Sequence, residues 1–251
     1  MFRSAPVLGL CLLFLTAPRA FSQGGGSEVP PVDESSFAGK PISELNADEV
    51  LQLVRYSYTT YNRNFTGELR MGVTKKVGFH LGLKPDSISY LFDDPAQIIF
   101  LETKNRSFTL LEGIGGAPMK PVSPSKFDEK IRGTDVTYDD LSMRFLYWPN
   151  AKIVREEKLK GRNCILLSVP NPDGAGAYAS VDVWIDKMSG GMVKMIGRDK
   201  GDRPIRRFEV LSGKKFDDVW MVNHIRIETV TGPSGSTLVS STNLKIQATA
   251  P

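Results

Sequence analysis

The feature that most constrains this chain is alternation. Leu69, Met71 and Val73 take turns with Glu68, Arg70 and Thr74, and Val77, Phe79, Leu81 and Leu83 repeat the pattern. After a Lys84-Pro85-Asp86 turn it resumes at Ile88, Tyr90 and Phe92, and QIIFLE and SFTLLE follow. Beyond residue 150 come AKIVREEKL, NCILLSVP, YASVDVWID, GMVKMIGRD, PIRRFEVL, DVWMVNHIRIETV and STLVSSTNLKIQA. A period of two puts successive side chains on opposite faces of a sheet. Lys160-Gly161, Asp173-Gly174, Ser189-Gly190-Gly191 and Gly232-Pro233-Ser234-Gly235 mark turns between the segments. The pattern predicts about 11 to 12 strands in one antiparallel meander, with no strand–helix–strand repeat. Such a sheet cannot stay flat, because strand twist has a fixed hand and accumulates. It must curl into a barrel or half-barrel, and its concave face then needs a cover.

Two segments have helical spacing and can supply that cover. In SELNADEVLQLVRYSYTTYN, Asn46 is a cap with Glu49 three positions later. Val50, Leu53, Val54, Tyr58 and Tyr61 form a stripe, which predicts a helix over 47–62. A second, shorter stretch is predicted near 138–147, after the Gly-, Pro- and Ser-rich loop 113–137.

The N-terminus reads as a leader. Arg3 precedes an apolar run over 5–17, and Ala20-Phe21-Ser22 is a small-x-small cleavage pattern, so 1–22 is expected to be a signal peptide. Residues 23–41 read as a flexible linker and 42–251 as one domain. Removing Arg3 and Arg19 takes 32 basic residues to 30 against 28 acidic ones, a net charge of +2. That balance gives no reason to expect nucleic-acid binding. Only Cys164 follows the leader, so the exported domain has no internal disulfide and is held by its core. The leader implies a periplasmic, soluble protein.

Candidate chemistry is sparse. RGTDVTYDDL carries Asp135, Asp139 and Asp140 within six positions, the one acidic cluster that invites a metal or acid/base reading. Thr137 and Asp140 have capping-box spacing, and two acids in a first helical turn suit the macrodipole. Helix initiation therefore accounts for the cluster apart from Asp135. His80 and His224 lie on polar strand faces, and Cys164 sits among apolar strand residues as a small buried hydrophobe. Gly113-Ile114-Gly115-Gly116 opens onto Pro118 and not onto a helix, so it is no phosphate cradle. What remains is apolar surface: Leu69, Met71, Phe79, Leu81, Tyr90 and Phe92 on consecutive strands are either ordinary core or the lining of an apolar cavity.

The order of these features resembles a known family. A leader and an amphipathic helix precede the meander, Gly133, Thr134, Asp135, Thr137, Tyr138, Asp140 and Leu141 precede Tyr147-Trp148, and GRNCILLSVP, YASVDVWID and VWMVNHIRIE follow. Over about 42–248 the chain resembles the outer-membrane lipoprotein-sorting (LolA-like) proteins. The resemblance implies a mainly β fold, an unclosed β-barrel with an N-terminal helix and a short helical lid. It implies a periplasmic carrier of lipid acyl chains or lipid-modified proteins, loaded by an inner-membrane transporter and unloaded at an outer-membrane acceptor. It implies a monomer with no cofactor and no catalysis. A strand arginine holds the lid shut in the best-known members, and no position here matches it by motif; Arg70 shares only an early-strand location. A sensor module that binds a lipidated or misfolded protein, and an exported hydrolase using the acidic loop, are the competing readings.

Overall fold

The computed structural model describes residues 40–59, 62–103, 108–216 and 219–248. The expected leader and most of the expected linker lie outside that range. Thirteen strands form one antiparallel sheet: β1 (Arg63–Met71), β2 (Lys75–Lys84), β3 (Ser87–Phe92), β4 (Gln97–Glu102), β5 (Thr109–Ile114), β6 (Lys120–Pro121), β7 (Lys152–Leu159), β8 (Arg162–Pro170), β9 (Ser180–Asp186), β10 (Met192–Arg198), β11 (Pro204–Phe216), β12 (Val219–Thr231) and β13 (Thr237–Ala248). Their order is β6-β5-β4-β3-β2-β1-β13-β12-β11-β10-β9-β8-β7. The sole non-sequential neighbours, β1 and β13, join an N-terminal and a C-terminal meander. β6 and β7 are edges that do not pair with each other, so the sheet curls without closing. The alternation therefore located the sheet, with 13 strands against the expected 11 to 12. The excess is β6, two residues hidden in the loop after β5 and too short to show a period. Val73 is a correction of another kind: it sits in the β1–β2 turn, 98% exposed, because Gly72 at φ +60° ends the strand.

The concave face carries a continuous buried cluster. Two inward-facing glycines make room for rings on it. A β-carbon at Gly67 would overlap the Phe79 ring, and one at Gly197 would stand 2.5 Å from Tyr178 Cε1. Without side chains there, both rings lie flat on the sheet. On the convex face Cys164, Leu166, Trp184 and Val193 make a separate small cluster, which places the thiol as buried packing.

Helix α1 (Ala47–Thr59) starts as its cap predicts: Glu49 N–H donates to Asn46 Oδ1 (3.0 Å) and Asn46 N–H to Glu49 Oε2 (2.8 Å). Val50, Leu51 and Val54 are fully buried. Residues 60 and 61, and the side chains of Tyr58 and Tyr61, lie outside the described range. The second helix is shorter than 138–147. α2 spans Tyr138–Ser142, Met143 adopts a left-handed conformation (φ 46°), and a 3-10 turn follows over Arg144–Tyr147. The break turns Arg144 back toward α2, where its Nε donates to Asp139.

Candidate ligand-binding face and its lid

The antiparallel order puts the turns after β2, β7, β9 and β11 at one end of the sheet. Those after β1, β3, β8, β10 and β12 lie at the other. The two ends of the concave face differ in chemistry. At the first end the register makes an apolar cross-strand row of Leu83, Ile88, Leu101 and Leu110. The next row includes Phe65, Leu81, Tyr90 and Ile99, and then come Phe79 and Phe92. Phe79 meets Tyr90 edge-on at 5.7 Å and Phe92 at 5.9 Å. Leu69, Phe79, Leu81, Tyr90 and Phe92 thus come together in one buried patch, while Met71 is half-buried at the end of β1. Their burial means that their surface is in contact with protein, since an acyl-sized void would leave its lining accessible. Leu83, Ile88, Leu101 and Leu110 belong to the same face and extend the candidate set.

The covers are α1 and the segment 122–148. The loop 113–137 enters the core through Val122, Phe127, Ile131 and Val136, so its second half is part of the lid. Nine large apolar side chains between Val122 and Trp148 are buried. At about 1.5–3 kcal/mol each, that is an upper bound on the order of 15–25 kcal/mol for lid burial. Val50, Leu51 and Val54 of α1 contribute about 5–9 kcal/mol on the same scale. Among buried side-chain atoms, Gln52 Oε1 on α1 has no hydrogen-bond partner, which costs the closed state about 1–3 kcal/mol. α1 crosses the open side of the sheet. Asp48 accepts from Ala151 N–H just before β7 (3.1 Å), Leu53 stands against Gly190 in the β9–β10 turn, and α1 also touches β2 before the chain enters β1. Arg55 donates to Leu146 O and stacks on Tyr147 at 5.3 Å.

At the second end the lid is held by buried charge. The acidic cluster is consumed there. Asp140 closes the α2 capping box with Thr137 (Asp140 N–H to Thr137 Oγ1, 3.2 Å; Thr137 N–H to Asp140 Oδ2, 2.9 Å). It also accepts from Tyr178 Oη and pairs with Arg206 Nε at 3.2 Å. Asp135, the acid that helix initiation left unexplained, is fully buried and accepts from Ser240, Thr242 (3.3 Å) and Lys130 (3.3 Å), while its N–H donates to Thr242 Oγ1 (3.0 Å). Asp139 pairs with Arg144, which also reaches Asp173 (3.2 Å) and Ala175 O in the β8–β9 loop and stacks between Phe127 and Trp148. Nearer β4, Tyr138 donates to Glu112, which also binds Lys126 (2.6 Å) and Gln97 (2.7 Å). Lys75 reaches Gly133 O (2.9 Å), and Tyr90 Oη donates to Leu141 O (3.3 Å). Arg70 takes no part; it is half-exposed beside Glu68.

Burial dominates the protonation of this network. It raises Asp139 to about 7 against the pull of Arg144, and Asp139 Oδ2 has no donor. Burial, and then the neighbouring Asp140, push Tyr178 well above the usual phenol range. Burial works against the charge on Arg206, but Asp140 and Tyr178 outweigh it and hold the guanidinium protonated. Burial likewise opposes Glu112 ionisation, yet Lys126, Tyr138 and Gln97 hold its carboxyl below the usual range. Each carboxylate of RGTDVTYDDL is therefore engaged in holding the lid, and among the described residues no group of His, Cys, Asp and Glu is placed to hold a metal. His80 is exposed 3.5 Å from Asp93, and His224 bonds Asn243 (2.9 Å). Arg206, Tyr178, Ser240 and Thr242 were missed in the sequence, since an inward arginine or threonine follows the same alternation as an outward one.

An open curled sheet with a latched lid can be set beside solved structures. The chain covers 80% of its length and 91% of a DUF1329 family protein from Desulfovibrio piger, at 15% identity and TM-score 0.59. An outer membrane lipoprotein-sorting protein domain from Vibrio parahaemolyticus is similar over 80% of this chain and 91% of that one (16% identity, TM-score 0.60). A LolA superfamily protein from Nitrosomonas europaea is similar over 82% and 95% (12% identity, TM-score 0.57). No curated protein sequence matches. A family model described as an uncharacterized protein matches residues 117–251, which takes in the lid, its latch and the C-terminal meander. The chain belongs to that family, and its fold is the LolA-like one.

Proposed function

We propose that this chain is a periplasmic carrier that takes lipid acyl chains, or the acyl chains of lipid-modified proteins, onto its concave face for transfer toward the outer membrane. The observation that carries the reading is the apolar concave face, closed by separate covers and not by a second sheet. Leu69, Met71, Phe79, Leu81, Tyr90 and Phe92 are the proposed contacts, with Leu83, Ile88, Leu101 and Leu110 added. Each methylene transferred from water contributes about 0.8 kcal/mol, so a long acyl chain repays the opening of a cover. The partners are an inner-membrane transporter that loads and an outer-membrane acceptor that unloads. The protein does no chemistry in this reading; its lid carboxylates serve structure. Native mass spectrometry of the chain purified from a membrane-containing host tests it. Adducts that release phospholipid or acylated peptide on solvent extraction support the carrier. A bare mass, with no uptake of a fluorescent fatty acid, refutes it.

A further inference from the structure

We infer that α1 is the gate of the concave face, and that the segment 122–148 stays latched to the sheet while ligand enters. The inference rests on the acyl-chain reading and adds the route. Three observations carry it. The buried charges that hold the lid, Asp135, Asp140 and Arg206 among them, all lie at the second end of the sheet. At the first end the concave face is an apolar row, Leu83, Ile88, Leu101 and Leu110, with Arg63 opposite Leu83 at its end. An acyl chain therefore finds its best surface where the latch is absent.

The second observation is the covers' unequal hold. Among the described side chains α1 buries three large apolar groups against the lid's nine, and each cover holds one unpartnered oxygen, Gln52 Oε1 and Asp139 Oδ2. Moving either cover hydrates its oxygen, but lifting the lid strips the larger apolar surface. The third is connectivity. The lid is tied into strands at both ends, β6 before and β7 after, while among the described residues α1 is followed by β1 and preceded by no strand. Helix α1 can therefore move as a unit without remodelling the sheet.

Two staples separate gate from lid. In a Cys164→Ala background lacking residues 1–22, Leu53→Cys with Gly190→Cys tethers α1 to the β9–β10 turn, where the two positions are in contact. Glu112→Cys with Lys126→Cys tethers the lid to β5 across an existing ion pair. Each pair is closed with a short bis-maleimide, and uptake of dansyl-undecanoate is followed by fluorescence before and after closure. The α1 staple should slow uptake at least tenfold, and the lid staple should leave it within twofold. The reverse pattern, or equal effects, overturns the inference while leaving the carrier intact. If the unstapled proteins take up no probe, the carrier reading itself fails. Hydrogen exchange reads the gate without ligand: amides of 51–59 should open before those of 139–146, and the opposite order overturns the assignment.

Discussion

Asp139 offers the sharpest quantitative test of how the lid is held. Its carboxyl is buried, one oxygen has no donor, and burial raises it from an ordinary 3.8 to about 7 in spite of Arg144. A carboxyl raised by folding keeps its proton in the native state at pH values where the unfolded chain has lost it. Its contribution to stability is therefore greatest below the unfolded value, declines as pH rises through the window from 3.8 to 7, and is flat above. Three units correspond to about 4 kcal/mol in all, and the part between pH 5.5 and 7 to about 2 kcal/mol. The carboxyls that folding lowers, Glu68, Glu112, Glu157, Asp186, Asp199 and Glu209, change stability in the opposite sense, but they do so below about pH 4.5. The window from 5.5 to 8.5 is therefore free of them. Urea unfolding followed by tryptophan fluorescence at pH 5.5, 7 and 8.5 should show the native chain losing about 2 kcal/mol by pH 7 and little more above it, or a melting temperature lower by about 4–8 °C. Asp139→Asn, which mimics the protonated carboxyl in shape, should remove that slope. An Asn variant with the same slope as the native chain, or a native chain that gains stability over the window, would refute the argument.

Four substitutions test the rest of the architecture. Thr137→Ala deletes the α2 cap and should lower stability by about 1 kcal/mol in thermal melts. Gly67→Ala forces Phe79 off the sheet and should cost about 1–3 kcal/mol, only part of it recovered when Phe79→Leu is added, because the new β-carbon also stands 2.9 Å from Lys245 O. Arg206→Leu leaves Asp140 buried without its cation and should cost about 3–5 kcal/mol in denaturant titration. Phe79→Ala should cost about 3–5 kcal/mol through the cavity it leaves, and fatty-acid probe binding then distinguishes lining from plain core.

The sheet was legible because alternation is a local property, written residue by residue in β1 to β3 and again in β8 to β12. The α1 cap was equally local, a reciprocal bond between Asn46 and Glu49. The capping box of α2 was legible for the same reason, but its length was not: Met143 leaves helical geometry so that Arg144 can meet Asp139 and Asp173, and Asp173 is 29 positions beyond Arg144. Asp135 shows the limit most clearly. Its partners Ser240 and Thr242 lie more than a hundred residues downstream, and nothing in the spacing of RGTDVTYDDL points to them. Arg206 was illegible for a different reason. In PIRRFEVL the alternation through Phe208 puts Arg206 on the inward face, but nothing local shows which anion meets it. The register with β10 sets Arg206 opposite Gly197, beneath Tyr178 and within reach of Asp140.

That buried arginine explains why the concave face is divided. Putting Arg206 inside creates a need for buried anions, and the lid supplies Asp140 with Tyr178 as intermediary. A buried ion pair adds little net stability compared with apolar packing, but it penalises every misplacement of the lid that leaves one partner dry and alone. The ionic end therefore fixes where the lid sits more than how strongly it is held. The apolar end works the opposite way. Contacts among Leu83, Ile88, Leu101 and Leu110 are non-directional, so an alkyl chain can replace an apolar cover there, and displacing α1 breaks the bonds of Asp48 to Ala151 and of Arg55 to Leu146 but none of the lid's buried ion pairs. A fold that must keep one cover in register and exchange another for ligand needs both kinds of surface on one sheet, and placing them at opposite ends lets one be disturbed without the other.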